Sequence, residues 1–154
     1  MSSIADNPTR AHIATAVASG RREVPLDANP ALRSFTAVLV EGTPGTLQIR
    51  FTAPADSTQG NDVVAGGALA SALDLAMAMA VLSTLPPGRT CATISLTVNM
   101  MSPAQAGATM LASAIVERAG RNVAFARAAL YDAEGRRQLA SATSSLSLFD
   151  QRPS

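Results

Sequence analysis

A chain of 154 residues, 47% hydrophobic and 15% charged with a net charge of +1, fits one folded domain and offers no basic surface for nucleic acid. A single cysteine, Cys91, and a single histidine, His12, exclude an intrachain disulfide, a thiolate metal cluster and a multi-histidine centre. All 12 basic residues are arginine, which removes lysine Schiff-base chemistry, and the absence of tryptophan leaves little for base stacking.

Residues 1–34 read as a polar N-terminal extension broken by Pro8, Pro25 and Pro30. Residues 11–19 are expected to form a short helix ended by Gly20, with His12 on its exposed surface. A Ser-His-Asp triad or a Cys-His dyad would have to use that one imidazole. No apolar signal run stands at the start, so a cytoplasmic protein is the default expectation.

Residues 35–40 and 46–53 read as strands joined by a turn at Gly42-Thr43-Pro44-Gly45, and residues 54–62 as a polar loop. Between Val63 and Gly88 the only charge is Asp74. A helix is expected from residue 66 to about 85, stopped by Pro86-Pro87-Gly88. The run is long enough to raise a membrane span. Its alanine content, the absence of a Trp or Tyr belt, and an Asp that costs roughly 2.5–3.5 kcal/mol on insertion argue instead for a buried central helix. A lone carboxylate there is tolerated when it is paired, faces a wet cleft, or has chemistry to perform.

After the helix the period changes to two. Residues 93–99 alternate Thr, Ser, Thr and Asn with Ile94, Leu96 and Val98, the pattern of a half-buried strand. Residues 108–117, 122–131 and 138–149 follow as strands, with turns at 118–121 and 132–135. Val123, Phe125, Ala129 and Tyr131 share one face. The resulting class is α+β: an antiparallel sheet of five or six strands wrapped around a long helix. One such sheet leaves part of the helix open, so a second subunit is expected.

This order resembles the hotdog fold. Val64-Ala65-Gly66-Gly67 followed by Asp74 is similar to the His-Gly-Gly…Asp segment of the phenylacetic-acid-degradation type of acyl-CoA thioesterases. The strand from Thr93 to Pro103, the hairpin Gly120-Arg121-Asn122-Val123-Ala124-Phe125, and the pair Asp132-Ala133-Glu134-Gly135 and Ala140-Ser141-Ala142-Thr143 resemble later segments of that family. The resemblance covers roughly residues 35–149, the hotdog domain being placed at 35–150.

The resemblance implies an acyl-CoA thioesterase acting on a small or aromatic acyl group, with coenzyme A as part of the substrate and no separate cofactor or metal. Asp74 takes the place of the family's general base or nucleophile. The Gly66 amide takes that of the oxyanion donor, which suits a helix N-terminus. Gln59 and Thr93 fall on the positions of the polar loop side chain and of the hydroxyl that helps hold the attacking water. Gly67, Ala65 and Asn61 fall beside the substrate, and Arg118 and Arg121 are candidates for its phosphates. The implied assembly is a homodimer or homotetramer, with Gln59 and Gly66 from one chain and Asp74 from its neighbour. One departure stands out: the family's histidine before the glycines is Ala65 here. It keeps open a non-catalytic protein that binds acyl-CoA or another small ligand. A hotdog dehydratase or hydratase would need a histidine near the substrate, and His12 lies outside the motif region.

Overall fold

Alternating apolar and polar residues build one antiparallel sheet. The computed structural model describes residues 5–153. Among these the strands are β1 (Val24–Pro25), β2 (Val38–Thr43), β3 (Thr46–Thr52), β4 (Arg89–Met100), β5 (Thr109–Ala119), β6 (Val123–Asp132) and β7 (Gln138–Asp150). The helices are α1 (Pro8–Ala18), α2 (Pro30–Ser34) and α3 (Gly66–Leu82). The spatial order is β1-β2-β3-β5-β6-β7-β4, so the strand that follows α3 crosses to the far edge of the sheet. This is the expected α+β hotdog arrangement. The sheet has six long strands, and the two-residue β1 makes a seventh.

The inner face of the sheet is paved with small side chains. Ala112, Ala114, Ala124, Ala126, Ala128, Ala140 and Ala142 are all buried there, alternating with outward residues such as Phe125 and Arg127. Their size lets α3 approach closely, with Leu69, Leu73, Met77 and Val81 filling the space between. The face shared by Val123, Phe125, Ala129 and Tyr131 is the outer one; Phe125 is 47% exposed.

Several boundaries differ from the sequence expectation, among them the start of β4 at Arg89 instead of Thr93 and the end of β5 at Ala119 instead of Glu117. The first helix begins at Pro8, because the Asn7 side chain accepts the Thr9 amide at 2.8 Å and proline suits the first turn. Residues 35–37 do not belong to β2. Asn29 caps the short α2, whose C-cap is Phe35, and Phe35 packs edge-on against Phe51. Helix α3 ends at Leu82, where Ser83 donates to the Ala80 carbonyl and accepts the Gly45 amide from the β2–β3 turn. Helix α1 lies against α3 and β2, burying Ile13, Ala16 and Val17.

Strand β4 is not half-buried within the single chain. Ile94 is 60% exposed, Leu96 37% and Met100 49%. It pairs only with β7 and leaves its other edge open. Its ladder also shifts by one residue: Thr93 pairs with Leu146 and Ser95 with Ser145, so Ile94 is a bulge.

Candidate functional site

Helix α3 is wrapped on most sides and open on one. Gly67, Ala70, Ser71, Asp74, Leu75 and Ala78 are exposed or half-buried, and their spacing follows one face of the helix. Asp74 stands in the middle of that strip. The bulge at Ile94 brings Thr93 onto the same face as the buried Leu146, and the Thr93 hydroxyl donates to Asp74 Oδ1 at 2.7 Å. Strict alternation with Leu96 and Val98 would have pointed Thr93 away from the helix. Bulges re-aim side chains in this manner beside active sites. Oδ1 is thus oriented, and Asp74 has no arginine partner within ion-pair reach among the described residues.

Cys91 lies two residues before Thr93 on the same inner face. Burial, and then the negative charge of Asp74, push its thiol up to about 11, so at neutral pH it is a protonated apolar side chain.

The second half of the site is the start of α3. Ala65 is the N-cap and supplies no side-chain cap. Its own amide donates to the Ser57 carbonyl, and its carbonyl accepts from Ala68 and Leu69. The Gly66 and Gly67 amides have no acceptor among the described residues, as expected for a first helical turn. A Cβ on Gly67 would meet nothing within 4 Å, so its surroundings are open. Beside these amides a groove of about 280 Å³ is bounded by Gln59, Val64, Gly66, Leu69, Met100 and Met101. A larger cavity of about 470 Å³ lies between the end of α1 and the β2–β3 hairpin, and none of the candidate residues lines it. The smaller groove is the chemical candidate because Gly66, with its free helix amide, lines it.

The structure therefore joins Asp74 with Thr93, and Gly66 with Gln59, in two separate places. Eight residues of α3 separate Gly66 from Asp74, about 12 Å along the helix axis at 1.5 Å per residue. Asn61 is exposed on the loop and does not line the groove. Arg118 and Arg121 are exposed at the β5–β6 hairpin. That hairpin sits beside the Arg89 end of β4, whereas Gly66 sits at the Met100 end. Met100 and Met101, which the sequence offers as core or adaptable acyl-pocket side chains, line the groove. The bulge at Ile94 is not expected from sequence, because periodicity carries no signal for it.

A family model of the thioesterase superfamily matches residues 61–138. The chain belongs to that superfamily. The matched stretch holds α3, β4, β5 and β6, hence Gly66, Asp74 and Thr93, while Gln59 lies just before it. The phenylacetic acid degradation-related protein of Ralstonia eutropha JMP134 is 28% identical, with a TM-score of 0.73 over 92% of this chain and 99% of that one. The E. coli PaaI protein from the phenylacetic acid degradation operon is 21% identical, with a TM-score of 0.73 over 90% of this chain and 94% of that one. A Streptococcus mutans protein solved with acetyl CoA bound shares the fold at 17% identity, with a TM-score of 0.65 over 75% of this chain and 90% of that one. Among curated protein sequences none matches this thioesterase-superfamily chain. No helix among its described residues is long and apolar enough to cross a membrane.

Proposed function

We propose that this protein hydrolyses an acyl-CoA thioester to a carboxylic acid and free coenzyme A, at sites shared between two copies of the chain. The observation that carries the reading is the Asp74 carboxylate, held by the Thr93 hydroxyl on the one face of α3 that the sheet leaves open. Asp74 either takes a proton from water as that water adds to the thioester carbonyl, or adds itself to give an anhydride that water then opens. In both routes the carbonyl oxygen becomes an oxyanion that accepts the Gly66 amide, and collapse expels the coenzyme A thiolate. Gln59 orients the substrate from the groove wall. The acetyl CoA held by the Streptococcus mutans protein of the same fold supports a coenzyme A ligand here.

The 12 Å between Gly66 and Asp74 is too long for one thioester carbon to touch both within one chain. A two-fold axis crossing the open face of α3 brings Gly66 of one protomer to Asp74 of the other. The long free edge of β4, with Ile94, Leu96, Met100 and Met101 exposed, fits the same two-fold, since an uncovered apolar edge strand invites pairing. The assembly is a homodimer, or two such dimers.

Ala65 favours a second reading, a protein that binds acyl-CoA without turning it over. A panel of phenylacetyl, short-chain and long-chain thioesters, followed with a thiol reagent, separates the two. The hydrolase reading expects turnover that falls about 10²-fold or more in Asp74→Asn, the scale of positioned acid–base catalysis. Tight binding of coenzyme A with no turnover of any thioester would establish the second reading instead.

A further inference from the structure

We infer that a notch at the Arg89 end of β4 receives the phosphate-bearing nucleotide of the coenzyme A substrate, an assignment that rests on the reading above. Leu85, Pro86, Arg89, Gly120, Arg121 and Leu148 line a cavity of about 180 Å³ there. Leu85, Pro86 and Leu148 give it an apolar wall suited to a flat heteroaromatic ring. Arg89 and Arg121 are its charged lining residues.

Arg89 is the telling residue. Its Nη2 donates to the Arg121 carbonyl at 2.8 Å, which fixes the guanidinium plane. Its Nε is buried and has no hydrogen-bond partner among the described residues. The Asp150 carboxylate stands 3.5 Å from that nitrogen, in ion-pair range without a hydrogen bond, and its side chain is 87% exposed. A buried donor left without an acceptor is costly and calls for an explanation. The guanidinium fork matches two phosphate oxygens, so a phosphate would satisfy the orphan nitrogen and displace the loosely held Asp150.

The distance fits a substrate that spans both places. Arg89, Cys91 and Thr93 share one face of β4, opposite Asp150, Leu148 and Leu146. Four residues separate Arg89 from Thr93, about 13 Å at ~3.3 Å per residue. An extended pantetheine arm covers that span, with the thioester at Asp74 and the phosphates at Arg89.

Calorimetric titration of coenzyme A, pantetheine and inorganic phosphate into the full chain and its Arg89→Ala, Arg89→Lys and Arg121→Ala variants tests this. Circular dichroism checks each fold, and Arg121→Ala keeps the carbonyl that Arg89 uses. Both alanine variants should weaken coenzyme A roughly tenfold or more, the scale of lost charge-assisted hydrogen bonds. Pantetheine should bind all variants alike, and Arg89→Lys should recover part of the loss. Unchanged affinity for coenzyme A in the alanine variants overturns the assignment, as does wild type that binds none. Inorganic phosphate bound as tightly as coenzyme A makes the notch a general anion site and also overturns it. Turnover is read separately: Arg-dependent binding of coenzyme A without hydrolysis keeps this inference and refutes the hydrolase, whereas hydrolysis with an unaltered KM in both alanine variants refutes this inference alone.

Discussion

Replacing Gly66 by proline removes one hydrogen atom from the site and almost nothing else. Gly66 is the first residue of α3, where proline is well tolerated. Ala65 before it has φ −61 and ψ 142, the extended conformation that a following proline favours. The Gly66 amide makes no hydrogen bond among the described residues, so none is lost. A Cβ at this position meets only the Met100 methyl, at an ordinary 3.5 Å. The fold should stand, with the thermal midpoint close to wild type. The chemistry should not. Removing one oxyanion donor costs about 10²–10³ in kcat, and the adjacent free amide of Gly67 places this case near the lower end. The assay is steady-state hydrolysis of an acyl-CoA, with Gly66→Ala as the control that keeps the amide and should retain near wild-type turnover. A folded Gly66→Pro protein with normal kcat would refute the oxyanion role. Equal loss in Gly66→Ala would make the effect steric.

Thr93→Val removes the donor to Asp74 and should lower kcat about tenfold, in line with loss of one hydrogen bond to a charged group, while Thr93→Ser restores most of it. Unchanged kcat in the valine variant would show that the carboxylate is oriented by something else. Ala65→His should raise hydrolysis of acetyl-CoA by roughly tenfold if one polar contact at the thioester is what the alanine lacks; blocked turnover of the best substrate would show that the space is filled by its acyl group. At the other end of α3, Asp6 holds the buried Arg10 with two hydrogen bonds and accepts the Gly88 amide, while Arg10 donates to the Leu85 carbonyl. Chiefly the Arg10 hydrogen bonds draw the Asp6 carboxyl below its ordinary 3.8. Its contribution is therefore complete above pH 3.8 and is lost as pH falls through the lower folded value. Asp6→Asn should cost about 1–3 kcal/mol at neutral pH, and the gap to wild type in urea melts should close in acid; a gap independent of pH would contradict the ion-pair account.

Alternation made the sheet legible. Strands β5, β6 and β7 keep a period of two over most of their length, broken near Val116 and at Leu139-Ala140, and their inner alanines leave little choice of face. Helix α3 was legible from its apolar run and its proline stop, though Ser83 ends it three residues early through a contact with a distant turn. Helix α2 escaped notice because five residues carry no periodicity and depend on the Asn29 cap. Family resemblance alone put Asp74 and Thr93 in one site, with Thr93 on the attacking water; the hydrogen bond between them is a finding of the structure. Pattern reading would have turned Thr93 outward, since a bulge adds a residue without leaving a mark in composition. Arg89 was missed for a similar reason. An arginine at the start of a strand looks like any solvated charge until its Nε is seen to be buried and unpaired.

A site divided between two chains predicts rescue by mixing. Asp74→Asn and Gly66→Pro are each expected to be nearly inactive alone. Unfolded together and refolded at equal concentration, they should form mixed dimers in which Gly66 of the first variant meets Asp74 of the second. With random pairing about a quarter of wild-type sites are restored, because half of the dimers are mixed and each holds one intact site. Activity near that level, in a species that light scattering identifies as a dimer or a larger assembly, is the predicted result. A mixture no more active than its parents, although the chains demonstrably co-assemble, would contradict the shared site.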